Sequence, residues 1–118
     1  MSVSRLLDYL DHMQRAVTDA CGFVEGLSKD DFLRDKRTQQ AVIMSLVILG
    51  EAAAKVMDGY AEFAHAHPEV PWRSMRGMRN RIIHGYFDIN LDVVWETVQT
   101  ALPELRKQLA AVRDDSRG

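Results

Sequence analysis

The fold is decided by one long apolar stretch, KRTQQAVIMSLVILGEAAAKVM at residues 36–57, which is rich in Ala, Leu, Ile and Met. Between Val42 and Leu49 the residues are apolar on nearly every side of a helix. A helix of this kind lies in the middle of a bundle or at a subunit interface. Asp58 and Gly59 follow it and are expected to end it. The stretch therefore predicts a buried helix around which the other helices pack.

Length and composition indicate one modest globular unit. The chain has 118 residues, of which 47% are hydrophobic and 27% are charged, as expected for a single domain spanning residues 1–118. No segment approaches the run of about 18 apolar residues that a membrane span requires. The start, MSVSRLLDYLDHM, is too interrupted by charge for a secretory signal. We therefore expect a cytoplasmic protein with no membrane partner.

The N-terminal segment has an apolar residue every three or four positions, which is the spacing of one helix face. These positions are Leu6, Leu10, Met13, Val17, Cys21 and Val24. Gly26 is expected to end this helix, and Ser28 with Asp31 predicts a capping box for a short helix in KDDFLRD. Cys21 is the single cysteine and is predicted to be a small buried packing residue.

The segment after the long helix, YAEFAHAHPEVP, contains two prolines and no sustained period, so it predicts an irregular or partly helical connection. Pro71 suits the first turn of the next helix, because that position has no intrahelical donor to lose. This helix is expected to reach His84, with Gly85 as a left-handed terminator.

The last helix is predicted to start after Asn90, a plausible cap, and to present one long apolar stripe. The stripe consists of Leu91, Val94, Val98, Leu102, Leu105, Leu109 and Val112. Pro103 lies inside the pattern and should bend or split the helix, and the tail from about residue 113 is expected to be frayed. Since no strand pattern appears, the predicted class is all-α, a bundle of four to five helices.

The segment RGMRNRIIHGYF at residues 76–87 concentrates polar and charged side chains between apolar ones. No acidic residue lies between Val70 and Phe87, which gives this region a local formal charge of +4 in a chain whose net charge is −2. The charge comes from Arg73, Arg76, Arg79 and Arg81. Such a basic island predicts an anionic partner, and Arg73, Arg76 and Arg81 are the candidates for binding RNA phosphates.

Helical spacing divides the same segment into two faces. Met75, Met78 and Ile82 share one face, which is predicted to be buried. A second face carries the polar row Arg73, Arg76, Asn80 and His84. Arg79 lies at the border between the two faces, so it can reach the polar heads of Asn80 and His84 from the flank.

These side chains suit metal-free RNA cleavage, which needs a base for the 2′-hydroxyl, a cation for the phosphorane and an acid for the leaving oxygen. His84 falls in the last turn, where the helix dipole favours an imidazolium, and Gly85 permits a sharp exit that returns Tyr86 over it. Spacing alone leaves a second interpretation open, since four arginines on a helix are more often an ordinary solvated face.

His65 and His67, two apart without a cysteine or clustered carboxylates, predict no metal site, and we expect no cofactor.

A resemblance to a known family bears on the choice between a catalytic site and a solvated helix face. RNRIIHGY resembles the R-x4-H-x-Y motif of the HEPN superfamily, and specifically of the HepT-like (DUF86-type) toxins, with Arg79, His84 and Tyr86 at the named positions and Asn80 at a frequent asparagine. Further similar segments are FLRDKRTQQAV, LGEAAAKV, PWRSMRGMRN and GYFDINLDVVW. The resemblance covers roughly residues 5–112.

The resemblance implies a HEPN-type helical fold that forms a homodimer with two motifs around one cleft. It also implies a metal-independent endoribonuclease, the toxin of a prokaryotic type VII-like toxin–antitoxin pair, with Arg79 and His84 catalytic. The implied partner is an MntA-like nucleotidyltransferase antitoxin that silences the toxin by adding AMP to Tyr86. The alternatives are a non-catalytic HEPN module that binds nucleotide or partner, and a purely structural helical dimer, which leaves the arginines without a purpose.

Glu51 is the one carboxylate inside the most apolar helix, and a carboxylate in such surroundings needs a partner. Arg79, at the edge of the buried face of its helix, is the candidate partner for this carboxylate. We expect Glu51 to orient Arg79. The alternative is that Glu51 is simply hydrated at the helix edge.

Overall fold

The computed structural model describes residues 3–117, with the side chains of residues 5–115. The described residues form helices and no strand, which confirms the all-α class. The helices are α1 Val3–Phe23, α2 Lys29–Leu33, α3 Lys36–Gly59, α4 Ala61–Ala66, α5 Trp72–His84, α6 Leu91–Glu96 and α7 Leu102–Arg117. A 3-10 turn, Tyr86–Asp88, follows α5, and a π-helical segment, Thr97–Ala101, joins α6 to α7.

The central helix is α3, as its apolar sequence predicts, and it packs against both α1 and α5. Val42, Leu46, Leu49, Ala53 and Val56 are almost fully buried along it. By length and composition alone α3 could cross a membrane. Its apolar residues are explained by its place in the core of the bundle.

The N- and C-terminal helices lie side by side. Leu10 and Met13 of α1 and Leu109 and Val112 of α7 are fully buried, and Arg113 forms an ion pair with Asp11 across the two helices. Helix α7 continues to Arg117, so the segment from residue 113, which the sequence predicts to be frayed, is helical. Gly118 lies outside the described residues.

Polar side chains fix three helix starts. The capping box at Ser28 and Asp31 is present, with both hydrogen bonds at 3.1 Å. Asp35 caps α3 by accepting from the Thr38 backbone at 3.1 Å and from its hydroxyl at 2.6 Å. The hydrogen bonds from Ser28 and Thr38 hold the pKa values of Asp31 and Asp35 below the ordinary aspartate value. Asn90 caps α6 as predicted, accepting from the backbone N–H groups of Asp92 and Val93.

Two glycines differ from their predicted roles. Helix α1 ends at Phe23, and Gly26 lies in the following turn with a φ of +81°. Gly85 has a φ of −128°, so the prediction of a left-handed terminator is wrong. Its N–H donates to the Arg81 carbonyl at 2.9 Å, and a Cβ there would lie 3.1 Å from that same oxygen. A side chain here would therefore make a tight contact that the Arg81 carbonyl must relieve by a small shift, at the exit of the chain into the 3-10 turn.

The last predicted helix is divided just before Pro103. The π segment Thr97–Ala101 separates α6 from α7, and such a widened turn accommodates a proline that would clash with a regular α-helical carbonyl. Val98 and Leu102 nevertheless stay buried, so the predicted apolar stripe continues across the interruption.

Cys21 packs against the core as predicted but stays half-buried, and that burial raises the pKa of its thiol.

Candidate active site

The centre of the site is an ion pair between α3 and α5. Nη1 of Arg79 lies 2.5 Å from Oε1 of Glu51. The Arg79 side chain is only 19% exposed, whereas that of Glu51 is 48% exposed. Nε of Arg79 is buried and, in the described structure, makes no hydrogen bond. The predicted pairing is therefore confirmed, and it is made by a carboxylate at the helix edge that remains partly accessible.

Gly50 permits this pairing, because it lets α3 and α5 approach closely. A Cβ at Gly50 would lie 2.3 Å from the Cβ of Arg79 and 2.7 Å from the Met75 carbonyl oxygen. Neither separation is sterically allowed, so any larger residue would push the helices apart at Arg79. This role is not predicted from the sequence, although a glycine inside an apolar helix is a usable signal for a close approach of another element.

The two faces of α5 agree with the helical spacing. Met75 and Ile82 are buried and Met78 is partly buried, while Asn80 and His84 are exposed. Within the described side chains no hydrogen bond joins Arg79, Asn80 and His84 to one another. The imidazole of His84 is therefore accessible to a ligand at the end of α5, with the guanidinium of Arg79 held at the flank of the same helix.

The arginine island is partly neutralised by α3. Arg76 lies 3.7 Å from Asp58, and Arg79 is paired with Glu51, so two of the four positive charges face carboxylates. Arg73 and Arg81 are exposed. They face different cavities, Arg73 beside Pro71 and Arg81 beside Gly85. The structure thus does not gather the predicted phosphate-binding arginines at one point.

Two aromatic residues follow the polar row in the 3-10 turn. Tyr86 is 52% exposed and Phe87 is 99% exposed, with their rings edge-on at 6.0 Å between centroids. Both line a shallow cavity of about 190 Å³ together with Lys36 and Gln40. Tyr86 is therefore accessible just beyond the end of α5, and Lys36 of α3 lies at the same cavity.

An exposed apolar stripe continues from the ion pair. Met44 and Ile48 of α3 are 58% and 42% exposed, and Ile83 of α5 is 50% exposed. Met44 and Ile48 precede Glu51 by seven and three residues, and Ile83 follows Arg79 by four, so each lies on the face of its helix that bears the ion pair. Since α3 and α5 are antiparallel at this pair, the apolar residues run side by side away from it.

Comparison with known families assigns the chain to one of them. A family model described as Ribonuclease HepT-like matches residues 13–112. The chain belongs to this family. The predicted membership of the HepT-like family is therefore confirmed, and the matched region includes Glu51, Gly50 and the whole of α5.

Curated relatives agree with the HepT-like assignment. A protein of Thermococcus cleftensis named "Probable ribonuclease HepT" is 39% identical over 90% of this chain and 94% of its own length. A provisionally named RNase of Methanocaldococcus jannaschii is 35% identical over 96% of this chain and 88% of its own length. Another, from Caldanaerobacter subterraneus, is 36% identical over 88% of this chain and 90% of its own length. No solved structure gives a significant match.

Proposed function

We propose that this HepT-like chain is a metal-independent endoribonuclease and the toxin of a prokaryotic type VII-like toxin–antitoxin pair. The observation that carries the proposal is the combination of a partly buried Arg79, fixed by Glu51, with an exposed His84 at the end of the same helix. Membership of a ribonuclease family and relatives named as RNases support RNA as the substrate class.

The proposed reaction is transesterification at an RNA phosphate. A base removes the 2′-hydroxyl proton, the 2′-oxygen attacks phosphorus, and the 5′-oxygen leaves with a proton from an acid. Arg79 stabilises the negative charge that develops on the phosphoryl oxygens, since a guanidinium held in place beforehand needs little reorganisation during the reaction. His84 transfers the proton and Asn80 positions the substrate from the same exposed face. Arg73, Arg76 and Arg81 bind neighbouring phosphates, with Arg76 contributing least because Asp58 already pairs with it.

We propose that the active form is a homodimer in which two copies of the motif share one cleft. One chain supplies a single His84 to its site, whereas two chains supply a base and an acid together. The apolar stripe of Met44, Ile48 and Ile83 supports the proposal, because an exposed apolar surface beside a polar site is typical of an interface. A second copy would cover it and bring both copies of α5 together.

Tyr86 is the proposed target of the partner. We propose that a cognate MntA-like nucleotidyltransferase adds AMP to its hydroxyl, which is accessible because the side chain is 52% exposed. The added phosphate carries negative charge next to the site for an RNA phosphate, so it would compete with substrate for Arg79 and His84. We expect both proteins to act in the cytoplasm.

The competing function is a non-catalytic HEPN module that binds nucleotide or partner protein. The experiment that separates the two compares the purified chain with His84→Ala on radiolabelled RNA in the presence of EDTA. Cleavage by the first and none by the second supports the endoribonuclease. Intact RNA with both proteins would favour the binding module, and cleavage only after Mg²⁺ is added would refute the metal-independent mechanism.

A further inference from the structure

A second cavity lies directly beside the motif, between α5, the 3-10 turn and α6. Its volume is about 370 Å³, near the lower end of the range of about 300–1,000 Å³ for small-molecule sites. It is open on one side. This size accommodates a single base or nucleoside, and the open side lets the rest of a strand extend into solvent.

The cavity has apolar walls that suit the flat face of a base. Leu46 of α3, Ile82 of α5 and Val94 of α6 contribute buried side chains. Val93, also in the lining, is 59% exposed. A ring inserted here would remove this exposed valine from water while contacting side chains that are already ordered.

Four polar side chains line the same cavity: Asp88, Asn90, Arg81 and Thr97. The Thr97 hydroxyl already donates to the Val93 carbonyl at 2.8 Å, which leaves the other three for a ligand. Asp88 and Arg81 are exposed, and neither forms an ion pair with any side chain in residues 5–115. Asn90 is oriented by its capping role: its Oδ1 accepts from two backbone N–H groups, at 2.9 Å and 3.2 Å. Its Nδ2 is therefore left as the donor, and the cavity offers an acceptor pair, an amide donor and a cation.

The cavity also adjoins the polar row of α5, at its His84 end. Gly85, between His84 and Tyr86, contributes to its lining. Arg81 precedes His84 by three residues, and side chains at this spacing are surface neighbours on a helix, with Cβ atoms about 5–6 Å apart. A base bound in the cavity would therefore belong to a nucleotide next to the phosphate at His84.

We propose that this cavity is a base subsite for a guanine nucleotide of the RNA, an inference that rests on the proposed ribonuclease function. Asp88 accepts from N1–H and N2–H of guanine, Asn90 Nδ2 donates to O6, and Arg81 binds a phosphate of the same strand. Guanine alone among the RNA bases presents two adjacent donors to one carboxylate. Adenine presents a donor beside an acceptor, and in uracil the single N3–H is flanked by carbonyl oxygens that a carboxylate repels.

The subsite is tested by titrating the full-length chain with GMP, IMP, AMP and UMP at one salt concentration, with binding measured by calorimetry. GMP should bind about tenfold to a hundredfold more tightly than AMP or UMP, as expected for one bidentate base contact. IMP, which lacks the N2 amino group, should lie between GMP and AMP.

Two variants identify the residues involved. Asp88→Asn removes the carboxylate from an exposed turn and should reduce GMP affinity to the AMP level. Val93→Trp fills the mouth from an exposed position and should prevent binding of all four nucleotides. Asp19→Asn, at an exposed position on α1, is the matched control and should bind GMP like the unaltered chain. Thermal melts verify that each variant is folded.

The outcomes separate this proposal from the ribonuclease itself, because nucleotide binding does not require cleavage. Equal affinity for the four nucleotides, no binding at millimolar concentration, or GMP binding that survives Asp88→Asn would overturn the guanine subsite even if RNA is cut. Selective GMP binding through Asp88 in a chain that cleaves no RNA would leave the subsite standing and refute the ribonuclease.

Discussion

Glu51 and Arg79 are joined across the contact between α3 and α5, with 2.5 Å between Oε1 and Nη1. The pair links the central helix of the fold to the helix that bears His84. Since Glu51 is 48% exposed, the pair contributes little to stability, on the scale of up to about 1 kcal/mol for exposed ion pairs. Its main effect is to fix where the guanidinium lies.

Glu51→Gln should therefore lower the rate of RNA cleavage without unfolding the protein. We expect a loss of about tenfold to a hundredfold, the range in which small displacements of a catalytic group are felt, with the melting temperature nearly unchanged. Single-turnover cleavage and thermal melts measure the two effects. Asp58→Asn is the matched control, because it removes the other α3–α5 ion pair, with Arg76, and should retain most of the activity. Full activity of Glu51→Gln would show that Glu51 does not position Arg79.

Gly50→Ala should impair both stability and cleavage. The new Cβ would meet the Arg79 Cβ at 2.3 Å and the Met75 carbonyl at 2.7 Å, so the helices must separate at the site, at a cost of about 1–3 kcal/mol. Denaturant titration and cleavage assays measure the change. Gly22→Ala in α1 is the control: its Cβ would meet nothing within 4 Å, and an alanine there should stabilise the helix by up to about 1 kcal/mol. Equal behaviour of the two variants would rule out the close approach.

The sequence predicts the helices well because their signals are local. The apolar periodicity places α1, α3 and α7, and the oxygen-bearing side chains of Ser28 and Asn90 mark two helix starts. The pairing of Glu51 with Arg79 also follows the sequence prediction, although Glu51 is 48% exposed and so does not need a cation to offset burial.

The other features of the site depend on distances between helices. The spacing of residues along the chain does not predict these distances. Asp58 neutralises Arg76 from another helix, so the island of positive charge is weaker than residues 71–86 imply. The cavity beside Gly85 needs walls from α3, α5 and α6 together. Gly85 shows how a glycine signal is ambiguous: it has no positive φ, and the close contact at this position is with the Arg81 carbonyl.

Tyr86→Phe should separate activity from silencing. Removal of the hydroxyl takes away the proposed acceptor of AMP but keeps the ring, which lies edge-on to Phe87. The variant should cleave RNA like the unaltered chain and resist its cognate antitoxin, whereas the unaltered chain should gain the mass of one AMP on coexpression. Tyr9→Phe, altered at a partly buried tyrosine of α1, is the control and should still be modified. Adenylation of Tyr86→Phe, or silencing without a mass change, would contradict the proposed mechanism.

Ile48→Lys should convert the proposed homodimer to monomer and reduce cleavage in parallel. Ile48 is 42% exposed in the stripe that starts at the ion pair, and a lysine there would bury an unpaired charge in the proposed interface, weakening association by about a hundredfold. Sedimentation of both proteins at micromolar concentration measures the association. Phe23→Lys is the matched control, because Phe23 is 45% exposed at the end of α1, away from the stripe, and should leave the dimer intact. A monomeric unaltered chain that cleaves RNA at full rate would refute the shared cleft, since one His84 would then suffice for both proton transfers.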